Sequence, residues 1–152
     1  MSARGLCCLI LFALAACEPA PQSAVLPGYG ERILDDSAFL HFDPGKATMT
    51  LESEENLFRM LPQIRAALAR LPAGERRLCV AGHADSIGEE AVNHALSLRR
   101  AQAVAERMID FGIPLQELVV RGYGSARPFI DRPGGNPNNR VVMLARGEKC
   151  RS

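Results

Sequence analysis

The chain has 152 residues, 47% of them hydrophobic, with no Trp and few aromatics, so it can bury one aliphatic core and not comfortably two. Eighteen basic and 17 acidic residues leave a net charge of +1, with no basic patch or acidic tail. That balance excludes nucleic acid as an expected partner.

The N-terminus reads as an export signal, not as fold. Arg4 precedes an apolar run from Leu6 to Ala16, too short to cross a bilayer and of the length found in secretory signals. The run ends Leu14-Ala15-Ala16-Cys17, which resembles the lipobox of bacterial lipoproteins. The resemblance implies cleavage before Cys17 and lipidation of that cysteine. Glu18 follows it, where an aspartate is associated with inner-membrane retention, and this favours the outer membrane. Of the five cysteines, Cys7 and Cys8 leave with the signal and Cys17 takes the lipid. Cys79 and Cys150 remain, in an oxidising compartment, either as a pair or as two buried thiols.

The stretch EPAPQSAVLPGYG, Glu18 to Gly30, reads as a tether. Its reach is roughly 20 Å when flexible and roughly 45 Å when extended. The expected division is therefore a signal over 1–16, a lipidated N-terminus and tether over 17–33, and one folded domain over 34–152.

Ala38 to Phe42 is the first expected strand, closed by the turn residues Asp43-Pro44-Gly45. Ser53 is the expected cap of a helix whose apolar stripe is Leu57, Leu61, Ile64, Leu68 and Leu71. Pro62 inside it predicts a kink. Arg77 to Ala81 reads as a second strand leading into GHADSIG, Gly82 to Gly88. A second helix follows from about Glu89 to Phe111, ended by Gly112 and Pro114. Leu118 to Val120 is a third strand, and Arg140 to Ala145 a last one beyond a loop rich in Pro, Gly and Asn. The order βαβαββ predicts a two-layer α/β (α+β) domain, with two helices on one face of a mixed four-stranded sheet.

GHADSIG is the stretch that asks for chemistry. His41, His83 and His94 are the only histidines, and no spacing among them suits a metal. There is no nucleophile elbow around Ser86, and the glycines do not match a phosphate-binding loop. No catalytic residue, metal or cofactor is therefore expected. Asn93, Leu96 and Arg100 share one face of the second helix. A helical arginine leans towards the N-terminus, which brings Arg100 towards Asp85. The two either hold a small zwitterion, Asp85 by its ammonium and Arg100 by its carboxylate, or pair with each other.

GHADSIG, Asn93, Leu96-Ser97, Arg100-Ala101, Val104, FGIP, RGYGSARP and NNRVV together resemble the OmpA-like C-terminal domain family, of the peptidoglycan-associated lipoprotein type. The resemblance runs from about Ala38 to Leu144. It implies a fold that binds peptidoglycan without cutting it, by the diaminopimelate of the stem peptide. It assigns Asp85 and Arg100 to that ligand, places Asn93 near the same pocket, and makes the turn with Asp43 and Gly45 a further wall. Ala84 stands where the family usually has threonine, and Asn139 where it often has arginine. The family's sheet sets the second and last strands side by side and antiparallel, which implies a Cys79–Cys150 disulfide. The expected protein is lipid-anchored at the periplasmic face of the outer membrane and tethers it to the wall. The alternative is an assembly subunit of an envelope, secretion or motility complex that keeps the fold with little wall affinity.

Overall fold

A computed structural model describes residues 38–126 and 135–150. The signal, Cys17 and the tether fall outside these residues. The strands are β1 (Ala38–His41), β2 (Leu78–Gly82), β3 (Leu118–Gly122) and β4 (Val141–Arg146), and the helices are α1 (Leu51–Arg70) and α2 (Glu90–Asp110). The sheet order is β1-β4-β2-β3. β4 is antiparallel to both neighbours, and β2 and β3 are parallel. β1 and β2 point the same way, as their helical crossover requires, but β4 has entered between them, so the first crossover does not join neighbours.

Alternation along the strands gives the sheet two different faces. Leu40, Leu78, Val80, Val142 and Leu144 turn to the helices and join Leu57, Leu61, Ile64 and Leu68 of α1 and Ala101, Val104 and Met108 of α2 in one core. Both helices thus share a face, as the sequence pattern predicts. Cys79, Ala81 and Ala145 turn to the other face, where Cys150 covers them from the short 3-10 turn Gly147–Cys150. Cys79 and Cys150 are disulfide-bonded there, with Cα atoms 5.5 Å apart.

The start of α1 differs from the sequence reading. Thr50, in extended conformation, is the cap, and its hydroxyl accepts the Ser53 N–H at 3.1 Å. Ser53 is buried inside the first turn and donates to the His41 carbonyl at 2.7 Å, tying the helix to the end of β1. α1 runs unbroken through Pro62, which is exposed. Leu71 lies just past the helix and packs on the core from its cap position. α2 ends as its sequence predicts. Gly112, at φ 84°, bonds Ile109, and Ile113 bonds Met108, the paired pattern of a glycine-stopped helix.

Candidate ligand-binding site

Three connections meet at one end of the sheet: the turn after β1, the loop after β2, and the residues entering β4. Backbone bonds continue the sheet into them. The Phe42 N–H reaches the Arg140 carbonyl at 2.9 Å, His83 N–H reaches Val141 at 2.8 Å, and Ala84 N–H reaches Gly124 at 2.9 Å. GHADSIG is thus fixed on both sides by main chain before any side chain is considered. Gly45 has φ 68° and open space where a side chain would begin, so its turn needs glycine for conformation rather than room. The Asp43 carboxylate is exposed and pairs with Lys46 at 3.0 Å.

Arg100 lies beneath this floor with no exposed surface. Its Nε donates to the Lys46 carbonyl at 2.8 Å, Nη2 to the Asp43 carbonyl at 2.9 Å, and Nη1 to the His83 carbonyl at 3.3 Å. Its guanidinium carbon stands 5.4 Å from the centre of the Phe42 ring. One side chain on α2 therefore fastens the β1 turn to the β2 loop. Burial pushes its pKa down to about 10; the Asp85 charge opposes that and the Arg140 charge adds to it. At neutral pH it remains a cation.

Asp85 and Arg100 do not pair directly. The Arg100 nitrogens are taken by carbonyls, and Asp85 Oδ2 instead accepts a bond from Arg140 Nη1 at 2.9 Å. Arg140 is held in turn by Nε on the Phe42 carbonyl at 3.3 Å, and Asp85 Oδ1 receives the Ile87 N–H at 3.4 Å. The Asp85 and Arg140 side chains keep 11% and 17% of their surface exposed. Gly135 borders the same spot, since a methyl there would lie 3.9 Å from Asp85 Oδ2 and overlap the Ile87 side chain. Asp43, Gly45, Asp85 and Arg100 are thus brought together around one cradle.

Asn93 serves a neighbouring part of the structure. It is buried, and its Nδ2 donates to the Ser125 hydroxyl at 3.2 Å. That hydroxyl donates to the Glu90 carboxylate in the first turn of α2. The Ser125 hydroxyl holds the Glu90 pKa below its usual value, helped by the N–H groups of Ala126 and Ser125 and by His94. Asn93 and Glu90 together clamp the chain after β3 against α2.

The OmpA family model matches residues 41–141. The chain belongs to the OmpA family. It is 29% identical over 150 residues to the outer-membrane lipoprotein YfiB of Pseudomonas aeruginosa, covering 91% of this chain and 89% of that one. It is 32% identical over 103 residues to outer membrane protein A of Escherichia fergusonii, covering 68% of this chain and 41% of the relative, so it spans less than half of that protein. Among solved structures, the peptidoglycan-associated lipoprotein of Burkholderia pseudomallei superposes with a TM-score of 0.61 at 18% identity, over 70% of this chain and 87% of that one. The periplasmic domain of Helicobacter pylori MotB does so with a TM-score of 0.56 at 18% identity, over 73% and 82%. These two likenesses show the same two-helix, four-stranded OmpA-like fold.

Within this OmpA-family domain, sequence reasoning passed over Arg140, Ser125 and Glu90. Arg140 stood in plain view in NNRVV, but no spacing rule connects it to Asp85, 55 positions away. The largest exposed apolar side chains lie elsewhere, at Leu51, Phe58 and Phe111, where the two phenyl rings meet edge to face at 5.4 Å. Glu54 and Arg107 beside them pair with each other at 3.0 Å, so that groove offers a zwitterion far less than the cradle does.

Proposed function

We propose that this protein binds peptidoglycan non-covalently, through the diaminopimelate of the stem peptide, and tethers the outer membrane to the wall through a lipid anchor. The observation that carries the reading is a partly exposed carboxylate and guanidinium, Asp85 and Arg140, set side by side on a main-chain floor. The free end of diaminopimelate carries an ammonium and a carboxylate on one carbon. Asp85 takes the ammonium, and the arginines of the cradle answer the carboxylate. The sequence assigns that carboxylate to Arg100, whose guanidinium would have to be uncovered at the 43–46 turn to reach it. Family membership and the outer-membrane names of the relatives support the reading. Lipidation at Cys17 places the domain within the tether's reach of the membrane.

Two experiments test it. The purified protein should sediment with diaminopimelate-containing peptidoglycan and be released by soluble meso-diaminopimelate. Protein that stays in the supernatant would remove wall binding. Cys17→Ser should abolish the lipid mass and release the protein from membranes; normal fractionation would remove the anchor. A second reading rests on the exposed Leu51, Phe58 and Phe111 face, away from the cradle. It makes the chain an assembly subunit, and protein partners lost on Phe58→Ser with no loss of wall binding would favour it.

A further inference from the structure

The geometry points to Arg140 as the residue that reads the ligand carboxylate, with Arg100 a positioning residue behind it. The inference rests on diaminopimelate binding at this site and names which arginine distinguishes that ligand from a plain amine.

A guanidinium has five N–H donors. Arg100 spends one from each of its three nitrogens on the carbonyls of Lys46, Asp43 and His83, and it has no exposed surface. A ligand could meet it only by opening the turn that it holds. Arg140 is placed differently. Among the described residues, its Nε goes to Phe42 and one Nη1 hydrogen to Asp85, which leaves the Nη2 edge for a bidentate partner. It is also the arginine that touches Asp85, and a ligand with both charges on one carbon needs its two partners adjacent. The Asp85–Arg140 pair meets such a head group in an alternating ring of four charges: ligand ammonium on Asp85, ligand carboxylate on Arg140. Neither residue has to leave the other, because a carboxylate accepts several bonds. Arg100 acts through the backbone, by fixing the carbonyls of the turn and loop on which this pair stands.

The test compares two soluble probes that differ by that one carboxylate: the stem tripeptide ending in meso-diaminopimelate and the same tripeptide ending in lysine. Binding is measured by calorimetry with the intact chain in mild detergent, and a melting temperature is recorded for each variant. The wild-type protein should prefer the diaminopimelate probe by about ten- to a hundredfold. Arg140→Gln should bind both probes equally and weakly, and Arg140→Lys should recover part of the preference. Arg100→Lys should weaken both probes by the same factor, leaving their ratio intact. Arg140→Gln with the wild-type ratio would overturn the inference, as would loss of the ratio in a folded Arg100→Lys. Wild-type protein that binds both probes without preference overturns it alone. Wild-type protein that binds neither overturns the wall-binding reading as well.

Discussion

Gly82, the last residue of β2, lies directly against the backbone of Ser97 in α2: a methyl on Gly82 would overlap the Ser97 carbonyl and stand 2.7 Å from its carbon. Gly122, at the end of the neighbouring strand β3, meets α2 in the same way, 2.6 Å from the Leu98 nitrogen. Two glycines on paired positions of adjacent strands thus set the height of α2 above the sheet. That height decides where Arg100 can reach. Because the obstacle is backbone, it cannot swing aside. Gly82→Ala should therefore destabilise the domain by about 1–3 kcal/mol or more, read as a lowered melting temperature. An unchanged melting temperature would mean that the helix can lift without cost.

The Cys79–Cys150 bond closes a separation of 71 residues and ties the C-terminal turn over the second face of the sheet. The Tyr123 hydroxyl donates to the Cys150 carbonyl at 2.9 Å and holds the same turn from the end of β3. Loop closure of this length is worth about 2–4 kcal/mol when unstrained. Paired Cys79→Ala and Cys150→Ala substitutions should lower the denaturation midpoint accordingly, and a reducing agent should move the wild-type midpoint but not that of the double variant. Equal midpoints with and without reductant would contradict this.

Glu90 makes the clamp around Ser125 dependent on acid. Its folded pKa lies below the usual carboxylate value, so its contribution is complete above that ordinary value and is lost as pH falls through the depressed one. Its place in the first turn of α2 acts in the same direction. The melting temperature of the wild type should exceed that of Glu90→Gln at neutral pH, with the gap closing on strong acidification. A gap that stays constant with pH would show that the carboxylate charge contributes nothing.

Most of the scaffold was legible because it rests on local rules. The stripe Leu57, Leu61, Ile64 and Leu68 is one buried face of α1, and Gly112 stops α2 by the conformation that glycine alone takes easily. The insertion of β4 between β1 and β2 is not local. Crossover length allows a parallel pair but does not make the two strands neighbours. The cap of α1 moved from Ser53 to Thr50 because both are good caps, and only the tertiary bond from Ser53 to His41 decides between them. The cradle shows the same division. Asp85 and Arg100 were legible as charged residues aimed at one loop. That Arg100 is consumed by three carbonyls, and that Arg140 takes Asp85, depends on main chain from three separate connections.

Peptidoglycan recognition at the cradle can be read residue by residue from amide shifts as the diaminopimelate tripeptide is titrated into the isotope-labelled protein. The largest shifts should fall on Asp43 to Lys46, His83 to Gly88 and Asn139 to Val141, and Asp85→Ala should remove them while the remaining spectrum stays that of the folded domain. A spectrum that does not respond, or shifts confined to Leu51, Phe58 and Phe111, would contradict binding at this site.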